Sequence, residues 1–265
     1  MPSPPQHQQL RISFPVENWP GWDIKELSLT RFEADFAPTL DLGGCDCSWT
    51  KAAAAKKGGH GVSNSAASPR EKCLAMARDA LSVKVDVATH DDYCSDSPIF
   101  HGVAVAKSSP PIHLALKFAL REDLIPALLH EAHMYSAHLE RVQGRAVPYS
   151  WGFFMGLLCD SSHGAAVHED GEPIACLVLE YWGDALPIRF DHLEKGVRVH
   201  ILNKLGEIHR CGVHHGDFAE RNVLYSDKNG VDFRIIDFDQ TEPHMCGQGG
   251  KECDVLRQVG RDMGL

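Results

Sequence analysis

A short hairpin with polar side chains at both ends constrains this sequence more than any other feature. Two strand-like runs, Asn222 to Tyr225 and Phe233 to Ile236, flank Asp227-Lys228-Asn229-Gly230. Asn-Gly is a strong signal for a tight turn. The run His215-Gly216-Asp217-Phe218-Ala219-Glu220-Arg221-Asn222 leads into the hairpin, and Ile236-Asp237-Phe238-Asp239 closes it. Because a hairpin folds back on itself, the sequence predicts that Asp237 lies beside Asn222.

A helix is expected to deliver the chain to this hairpin. Apolar residues recur there at helical spacing, and the pattern stops at Cys211-Gly212, where glycine provides a natural C-terminal cap. The residues of this stripe are Leu193, Val197, Ile201, Leu205 and Ile208. The polar run from His215 therefore follows as a loop between a helix and a hairpin.

The first half of the chain has a different pattern, which is typical of strands. Leu81 to Ala88, His101 to Ala106 and Ile112 to Ala119 are β-like and separated by polar turn segments, so they predict a small antiparallel sheet. A helical stripe follows from Glu122, with Pro126 in its first turn, through Leu124, Leu128, Ala132, Tyr135 and Leu139. Cys176 to Glu180 reads as one more buried strand, and Tyr181-Trp182-Gly183 as a connector.

These patterns predict an α+β protein in four segments. Residues 1–42 form an N-terminal extension that is too apolar for a disordered tail and could add a strand pair. Gly43 to Arg70 contains few large apolar residues, so 43–75 is interpreted as a linker or loop. Residues 76–178 would form a first, β-rich lobe, and 179–265 a compact second lobe.

Composition excludes several classes of function. The net charge of −10 disfavours binding to nucleic acids or acidic membranes, and no run approaches the roughly 20 apolar residues of a membrane-spanning helix. Nine cysteines, an odd number, in a chain whose start lacks the pattern of a secretory signal favour reduced thiols. We expect a monomer in the cytoplasm or nucleus.

Two groups of side chains could ligate a metal ion. Cys45-Asp46-Cys47 is one, and His244, Cys246 and Cys253 form the other. Neither group shows the paired Cys-x-x-Cys spacing of structural zinc sites, so ordinary thiols are the favoured interpretation.

The segments around the hairpin resemble the catalytic loop and the metal-binding segment of the protein kinase-like superfamily. Among its members, the compact RIO-type kinases and the aminoglycoside and choline phosphotransferases are the most similar. The resemblance covers about Leu81 to Leu265. It implies a two-lobed protein kinase-like fold, with a small β-rich N-lobe and a truncated, mainly helical C-lobe, that binds ATP and Mg²⁺ between the lobes.

The resemblance also implies a role for each residue of the loop and hairpin. Asp217 would be the catalytic base, Asn222 a magnesium ligand, and Asp237 the ligand of the magnesium ion that bridges the phosphates. His215 would support the backbone of the loop.

In the first lobe, the resemblance assigns Lys117 to the nucleotide phosphates, because it alternates with apolar neighbours in Leu114-Ala115-Leu116-Lys117-Phe118. Glu131 on the following helix would pair with Lys117, and Glu140 is the less favoured partner. Glu180, Tyr181 and Trp182 would line the adenine slot. Asp254 would begin a buried helix and fix the backbone of the catalytic loop.

The chain also departs from the family pattern. The turn from Thr89 to His101, before Lys117, contains no glycine, whereas the family has a glycine-rich loop that covers the phosphates. The expected function is ATP-dependent transfer of a phosphoryl group to a protein Ser/Thr or a small-molecule alcohol. The alternative is a pseudokinase that acts as a nucleotide-binding or interaction scaffold.

Overall fold

The fold is described from a computed structural model and is mixed α+β, as predicted. The predicted linker, 43–75, lies outside the described residues. The structure describes residues 9–14, 26–32, 81–88, 97–104, 110–158, 171–227, 230–245 and 253–265.

Seven strands form a closed barrel in the order β1-β2-β6-β7-β5-β4-β3. Neighbouring strands pair antiparallel, except that β1 and β3 close the barrel in parallel. The N-terminal segment thus supplies two barrel strands. The strands are β1 (Gln9–Ser13), β2 (Glu26–Arg31), β3 (Leu81–Ala88), β4 (Ile99–Ala104), β5 (Ile112–Ala119), β6 (Ser150–Leu158) and β7 (Glu172–Glu180).

Alternation along the strands fills the barrel with apolar side chains. In β5, Leu114, Leu116 and Phe118 are fully buried and belong to the interior cluster. Phe100 packs edge-to-face against Phe118 and against Phe14, with ring centroids 5.8 Å apart in both pairs. Such pairs add about 0.5–1.5 kcal/mol each to the area that they bury. The alternate residues of β5 are therefore left to face outward.

The rest of the described chain lies outside the barrel and contains the helices. Short strands form two further sheets: β8 pairs with β10 and β10 with β11, while β9 pairs with β12. The helices are α1 (Ile125–His133), α2 (Lys195–His209) and α3 (Asp254–Asp262). The short strands are β8 (Asp184–Ala185), β9 (Val213–His214), β10 (Val223–Ser226), β11 (Asp232–Ile235) and β12 (Glu242–Pro243).

A second apolar cluster joins the barrel wall to this outer part. Leu128 of α1, Leu177 of β7 and Ile208 of α2 are buried in it, together with Ile235 of β11 and Phe238. Burial of each large apolar side chain contributes about 1.5–3 kcal/mol. The cluster therefore fixes the hairpin relative to β5 and α1.

The structure confirms most of the predicted elements and extends the predicted sheet. The three predicted strands of the first half do pair antiparallel, as β3, β4 and β5, but they form less than half of the barrel. The predicted helix from Glu122 is divided into a 3-10 turn, α1 and a π-helical turn, Met134–His138. No helix among the described residues is both long and apolar enough to cross a membrane.

Candidate functional site

A cavity of about 610 Å³ lies between the outer wall of the barrel and the hairpin. β5, α1, β7, the connector after β7 and both ends of the hairpin contribute to its wall. Apolar side chains come from both halves of the chain, and they include Ala115, Leu179, Leu224 and Ile236. Charged and amide groups complete the wall, and they include most of the predicted site residues.

Lys117 is the more buried of two cationic side chains, Lys117 and Arg221, in the wall of this cavity. Because the even-numbered residues of β5 fill the barrel, Lys117 faces outward, on the same side as Ala115. Its Nζ donates to Glu131 Oε2 at 2.7 Å and to Asp237 Oδ1 at 2.5 Å. Burial alone would lower the pKa of Lys117, but the two carboxylates outweigh it and raise the pKa above its ordinary value. The ammonium therefore stays charged at neutral pH.

Glu131 is the buried partner of this cation. It shares the buried face of α1 with Ile125 and Leu128, and its side chain is 1% exposed. Burial raises the pKa of Glu131, while the Lys117 ammonium and a hydrogen bond with the Phe238 backbone oppose that shift. Ionisation of this carboxyl group thus depends on Lys117.

Asp217 lies in the loop that precedes the hairpin and is held by two neighbours. Asn222 Nδ2 donates to the backbone oxygen of Asp217 at 2.8 Å and to its Oδ2 at 3.2 Å. Arg221 Nη2 lies 2.7 Å from Asp217 Oδ1 and 2.6 Å from Oδ2. The preceding Gly216 has φ +77, and a Cβ there would lie 2.1 Å from the backbone oxygen of Gln240, so only glycine fits.

His215 fastens the start of this loop to the far end of the hairpin. Its Nε2–H donates to the backbone oxygen of Ile236 at 2.9 Å, and its ring packs 5.0 Å from the Phe238 ring. Burial lowers the pKa of His215, so the imidazole is neutral at pH 7. His215 therefore links the start of the loop to the backbone at the end of the hairpin.

Asp237 has an unusual backbone conformation. It is the one non-glycine residue with positive φ in the described part of the chain, at 72°. Aspartate tolerates this region better than most residues, and strained conformations cluster at functional sites. The Ile236 N–H donates to the Asn222 oxygen at 3.0 Å, so the hairpin brings the two ends together as predicted. Asp237 then faces the cavity while Phe238 is fully buried.

The connector after β7 is braced by an arginine from the hairpin. Arg234 of β11 forms an ion pair with Glu180, and its guanidinium lies 4.5 Å from the centroid of the Trp182 ring. Glu180 Oε2 also accepts from the Tyr149 N–H at 3.1 Å. Within the described residues, the backbone N–H of Trp182 donates no hydrogen bond. Arg234 thus holds the side chains of Glu180 and Trp182 in place. The backbone N–H of Trp182 is available to a ligand in the cavity.

Most of the predicted site residues meet in the wall of the cavity. These are Lys117, Glu131, Glu180, Tyr181, Trp182, Asn222 and Asp237. Asp217 and His215 do not belong to the wall, and Asn222 links Asp217 to it. The interpretation of Asp254 is wrong: its side chain is 91% exposed and pairs with Arg257 of the same helix, so it fixes no part of the loop.

Sequence reasoning did not assign two arginines of this site. Arg221 belongs to the loop from His215 to Asn222. Its spacing of four residues from Asp217 is the signal that could have suggested this ion pair. Arg234 gave no such signal, because a polar residue between Phe233 and Ile235 reads as a solvated strand position. Its pairing with Glu180 arises only from the tertiary fold.

The donor set of the cavity suits a hard divalent cation. Asn222 uses its Nδ2 on Asp217, which leaves Oδ1 as its ligand atom, and Asp237 offers a carboxylate that is 28% exposed. Amide and carboxylate oxygens are the ligands that Mg²⁺ prefers in proteins. Both residues line the cavity that contains Lys117.

No protein-family model matches this chain, and no curated protein matches it either. A function is therefore argued from the site.

Proposed function

We propose that this chain is a phosphotransferase with a two-lobed, kinase-like fold, in which the barrel forms the N-lobe and the segment after β7 a truncated C-lobe. It would bind ATP with Mg²⁺ in the cavity and transfer the γ-phosphoryl group to a hydroxyl of a protein Ser/Thr or a small-molecule alcohol. The observation that carries the proposal is that Lys117 Nζ contacts both Glu131 and Asp237, at 2.7 Å and 2.5 Å.

The three residues come from three separate elements, β5, α1 and the end of the hairpin. A buried glutamate fixes the direction of the ammonium, and the ammonium lies beside a carboxylate at the cavity. This arrangement suits a polyphosphate with its cation, because the ammonium attracts phosphate oxygens and the carboxylate attracts the metal.

The remaining wall suits a nucleobase. The cavity of about 610 Å³ falls in the range of about 300–1,000 Å³ that is usual for small-molecule sites. Ala115 and Leu179 from the barrel, with Leu224 and Ile236 from the hairpin, line the cavity and would provide apolar contacts to a flat ring. The Trp182 N–H offers a donor for the edge of the base.

The proposal assigns a chemical or positioning role to each of the main site residues. Asp217 would take the proton of the attacking hydroxyl while its oxygen bonds to the γ-phosphorus, and the bond from that phosphorus to the bridging oxygen would break so that ADP leaves. Lys117 would hold the nucleotide phosphates in line. Asn222 and Asp237 would hold the magnesium, which neutralises phosphate charge when bound. His215 is a positioning residue, because it acts through the Ile236 backbone.

One observation favours a second candidate, a pseudokinase scaffold. Arg221 contacts both carboxylate oxygens of Asp217, at 2.7 Å and 2.6 Å. Both oxygens of the proposed base are thus already occupied as hydrogen-bond acceptors, so the guanidinium must move before Asp217 can accept a proton from a substrate hydroxyl. A scaffold would keep the nucleotide cavity without turnover.

Ligand binding tests the cavity. We expect ATP with Mg²⁺ to raise the Tm of the wild-type chain, since a ligand of the folded state stabilises it by mass action. Asp237→Asn should reduce the Mg²⁺-dependent part of this shift, and ATP with a chelator should give a smaller shift than ATP with Mg²⁺. Lys84→Met is a matched control, because Lys84 lies exposed on β3 away from the cavity. Equal shifts in wild type and Asp237→Asn would refute the proposed metal site.

Transfer of radiolabelled γ-phosphate to a panel of proteins and small alcohols separates the two candidates. Asp217→Asn should leave the ATP shift unchanged and lower transfer by about 10²–10⁴-fold, the usual contribution of a general base. Binding without transfer above the Asp217→Asn background would favour the scaffold. Absence of both would refute the phosphotransferase and the nucleotide-binding scaffold, and would leave only a scaffold that binds no nucleotide.

A further inference from the structure

A second cluster of ligand-type side chains lies outside the cavity. It consists of His209, His244 and Cys253, and their ligand atoms all lie within 4.8 Å of one another. None of the three contributes to the wall of the cavity. The proposed phosphotransfer chemistry therefore does not account for them.

The contacts within this cluster are close to those of a coordination sphere. Cys253 Sγ lies 3.3 Å from His244 Nε2, and the rings of His209 and His244 have centroids 4.3 Å apart. In a tetrahedral zinc site, bonds of about 2.0–2.3 Å to nitrogen and sulfur place neighbouring ligand atoms about 3.3–3.6 Å apart. One pair already has this separation, and small side-chain adjustments would bring the third atom to it.

The backbone holds the three residues in place from three elements. His209 is the last residue of α2 and is 4% exposed. His244 follows β12, and its N–H donates to the Gly212 oxygen at 2.9 Å, which ties it to the end of α2. Cys253 is the residue that precedes α3. His209 also has a hydrogen bond with the Val213 backbone, of the kind that orients a metal-binding imidazole.

We propose that His209, His244 and Cys253 bind a zinc ion that ties the C-terminal helix to the end of α2. Two imidazole nitrogens and one thiolate are a borderline-soft set that suits Zn²⁺, with water in the fourth position. The thiol of Cys253 loses its proton to solvent when the metal binds.

The surroundings of α3 explain what such an ion would contribute. The helix has nine residues, which is too short to be stable alone, and Gly260 is its one buried residue. Leu256 and Val259 pack partly buried against the outer clusters, and Met263 directly after the helix is buried, so apolar contacts hold one face and the C-terminal end of α3. A metal ion at Cys253 would add a constraint at the N-terminal end of the helix, because metal binding is coupled to folding.

The test uses the full chain without a polyhistidine tag, grown with zinc. We expect about one equivalent of zinc per chain by elemental analysis. After chelation, Co²⁺ should restore a visible spectrum of tetrahedral intensity and a sulfur-to-cobalt charge-transfer band. Cys253→Ser should abolish that band, and His244→Ala should weaken zinc binding by at least about tenfold. Cys211→Ser and His200→Ala are matched controls that should keep the metal, because both residues lie outside the cluster.

The zinc content and cobalt spectrum of the wild-type chain test the proposal even where a variant fails to fold. Substoichiometric zinc and no sulfur-to-cobalt band in the folded wild-type chain would overturn the proposal and leave a thiol–imidazole hydrogen bond. Equal zinc content in folded Cys253→Ser and wild type would also overturn it. ATP is absent from these assays, so their outcome is independent of the phosphotransferase proposal.

Discussion

Replacement of Lys117 by methionine should destabilise the fold through Glu131 rather than through Asp237. The Lys117 ammonium forms ion pairs with both carboxylates, but their surroundings differ. The Glu131 side chain is 1% exposed, and that of Asp237 is 28% exposed. An exposed ion pair contributes about 0–1 kcal/mol, whereas loss of one partner of a buried pair destabilises by about 3–5 kcal/mol. We therefore expect Lys117→Met to lower the free energy of unfolding by about 3–5 kcal/mol near pH 8.

The loss of stability in Lys117→Met should be larger at high pH than at low pH. Burial raises the pKa of Glu131, and without the opposing ammonium the pKa rises further. The folded state then keeps a proton that the unfolded chain, with an ordinary glutamate pKa of about 4.3, has released. The stability that this bound proton contributes is fully present below the pKa of Glu131 in the unfolded chain. It is lost as the pH rises through the higher pKa of Glu131 in the folded chain. Lys117→Met should therefore be closer to wild type near pH 5 than near pH 8.

Urea denaturation of a double-mutant cycle measures this effect. Glu131→Gln removes the buried charge, so Lys117→Met/Glu131→Gln should be more stable near pH 8 than Lys117→Met alone and should lose the pH dependence. Lys84→Met is the control for loss of an exposed lysine on the barrel. The reasoning is refuted if Lys117→Met lies within about 1 kcal/mol of wild type near pH 8, or if Glu131→Gln gives no recovery.

Four further substitutions test local features by the same urea assay. Gly216→Ala should destabilise more than Gly230→Ala: both residues have positive φ, but a Cβ at Gly216 meets the Gln240 oxygen at 2.1 Å, whereas at Gly230 it meets no described atom within 4 Å. The left-handed backbone costs about 1–2 kcal/mol in both variants, and the clash should add about 1–3 kcal/mol in the first. Equal losses in the two variants would show that the close approach of Gln240 adds no cost. Tyr135→Phe should stabilise the fold by about 1–3 kcal/mol, because the hydroxyl of Tyr135 is buried and has no hydrogen-bond partner among the described residues. A loss of stability in this variant would show that the hydroxyl is paired. Gly196→Ala should stabilise by about 0.4–1 kcal/mol, since a Cβ there is unobstructed in α2, and destabilisation would contradict this.

The parts of the site that the sequence predicted depend on local patterns. Asp237 was expected beside Asn222 because a tight turn joins two short strands, and the bond from Ile236 N to Asn222 O shows that pairing. Lys117 alternates with apolar neighbours in the sequence, and in β5 it lies on the face opposite the buried Leu116 and Phe118. Short-range periodicity is sufficient in both cases.

The parts that were missed depend on contacts between distant segments. Nothing local indicates that β1 closes the barrel on β3, or that β2 pairs with β6. β6 was overlooked because Trp151 and Phe154 are buried in the barrel while Phe153 is buried on the opposite side, so the strand is apolar on both faces and shows no alternation. Arg234 was missed for a similar reason, since its partner Glu180 lies on another strand.

The shared ammonium suggests how the site would respond to a cation. A metal ion that takes the Asp237 carboxylate competes with Lys117 for it, and Lys117 then remains beside Glu131, which has no second cation within its described contacts. Glu131 is buried and helical, so it holds the ammonium in place while Asp237 changes partner. Asp217 has a separate cation, Arg221, while Asn222 donates to it through Nδ2 and would bind the metal through Oδ1. Asp237 and Asp217 thus contact different cations, so under the proposed function the metal would displace Lys117 from Asp237 and leave the Arg221–Asp217 pair in place.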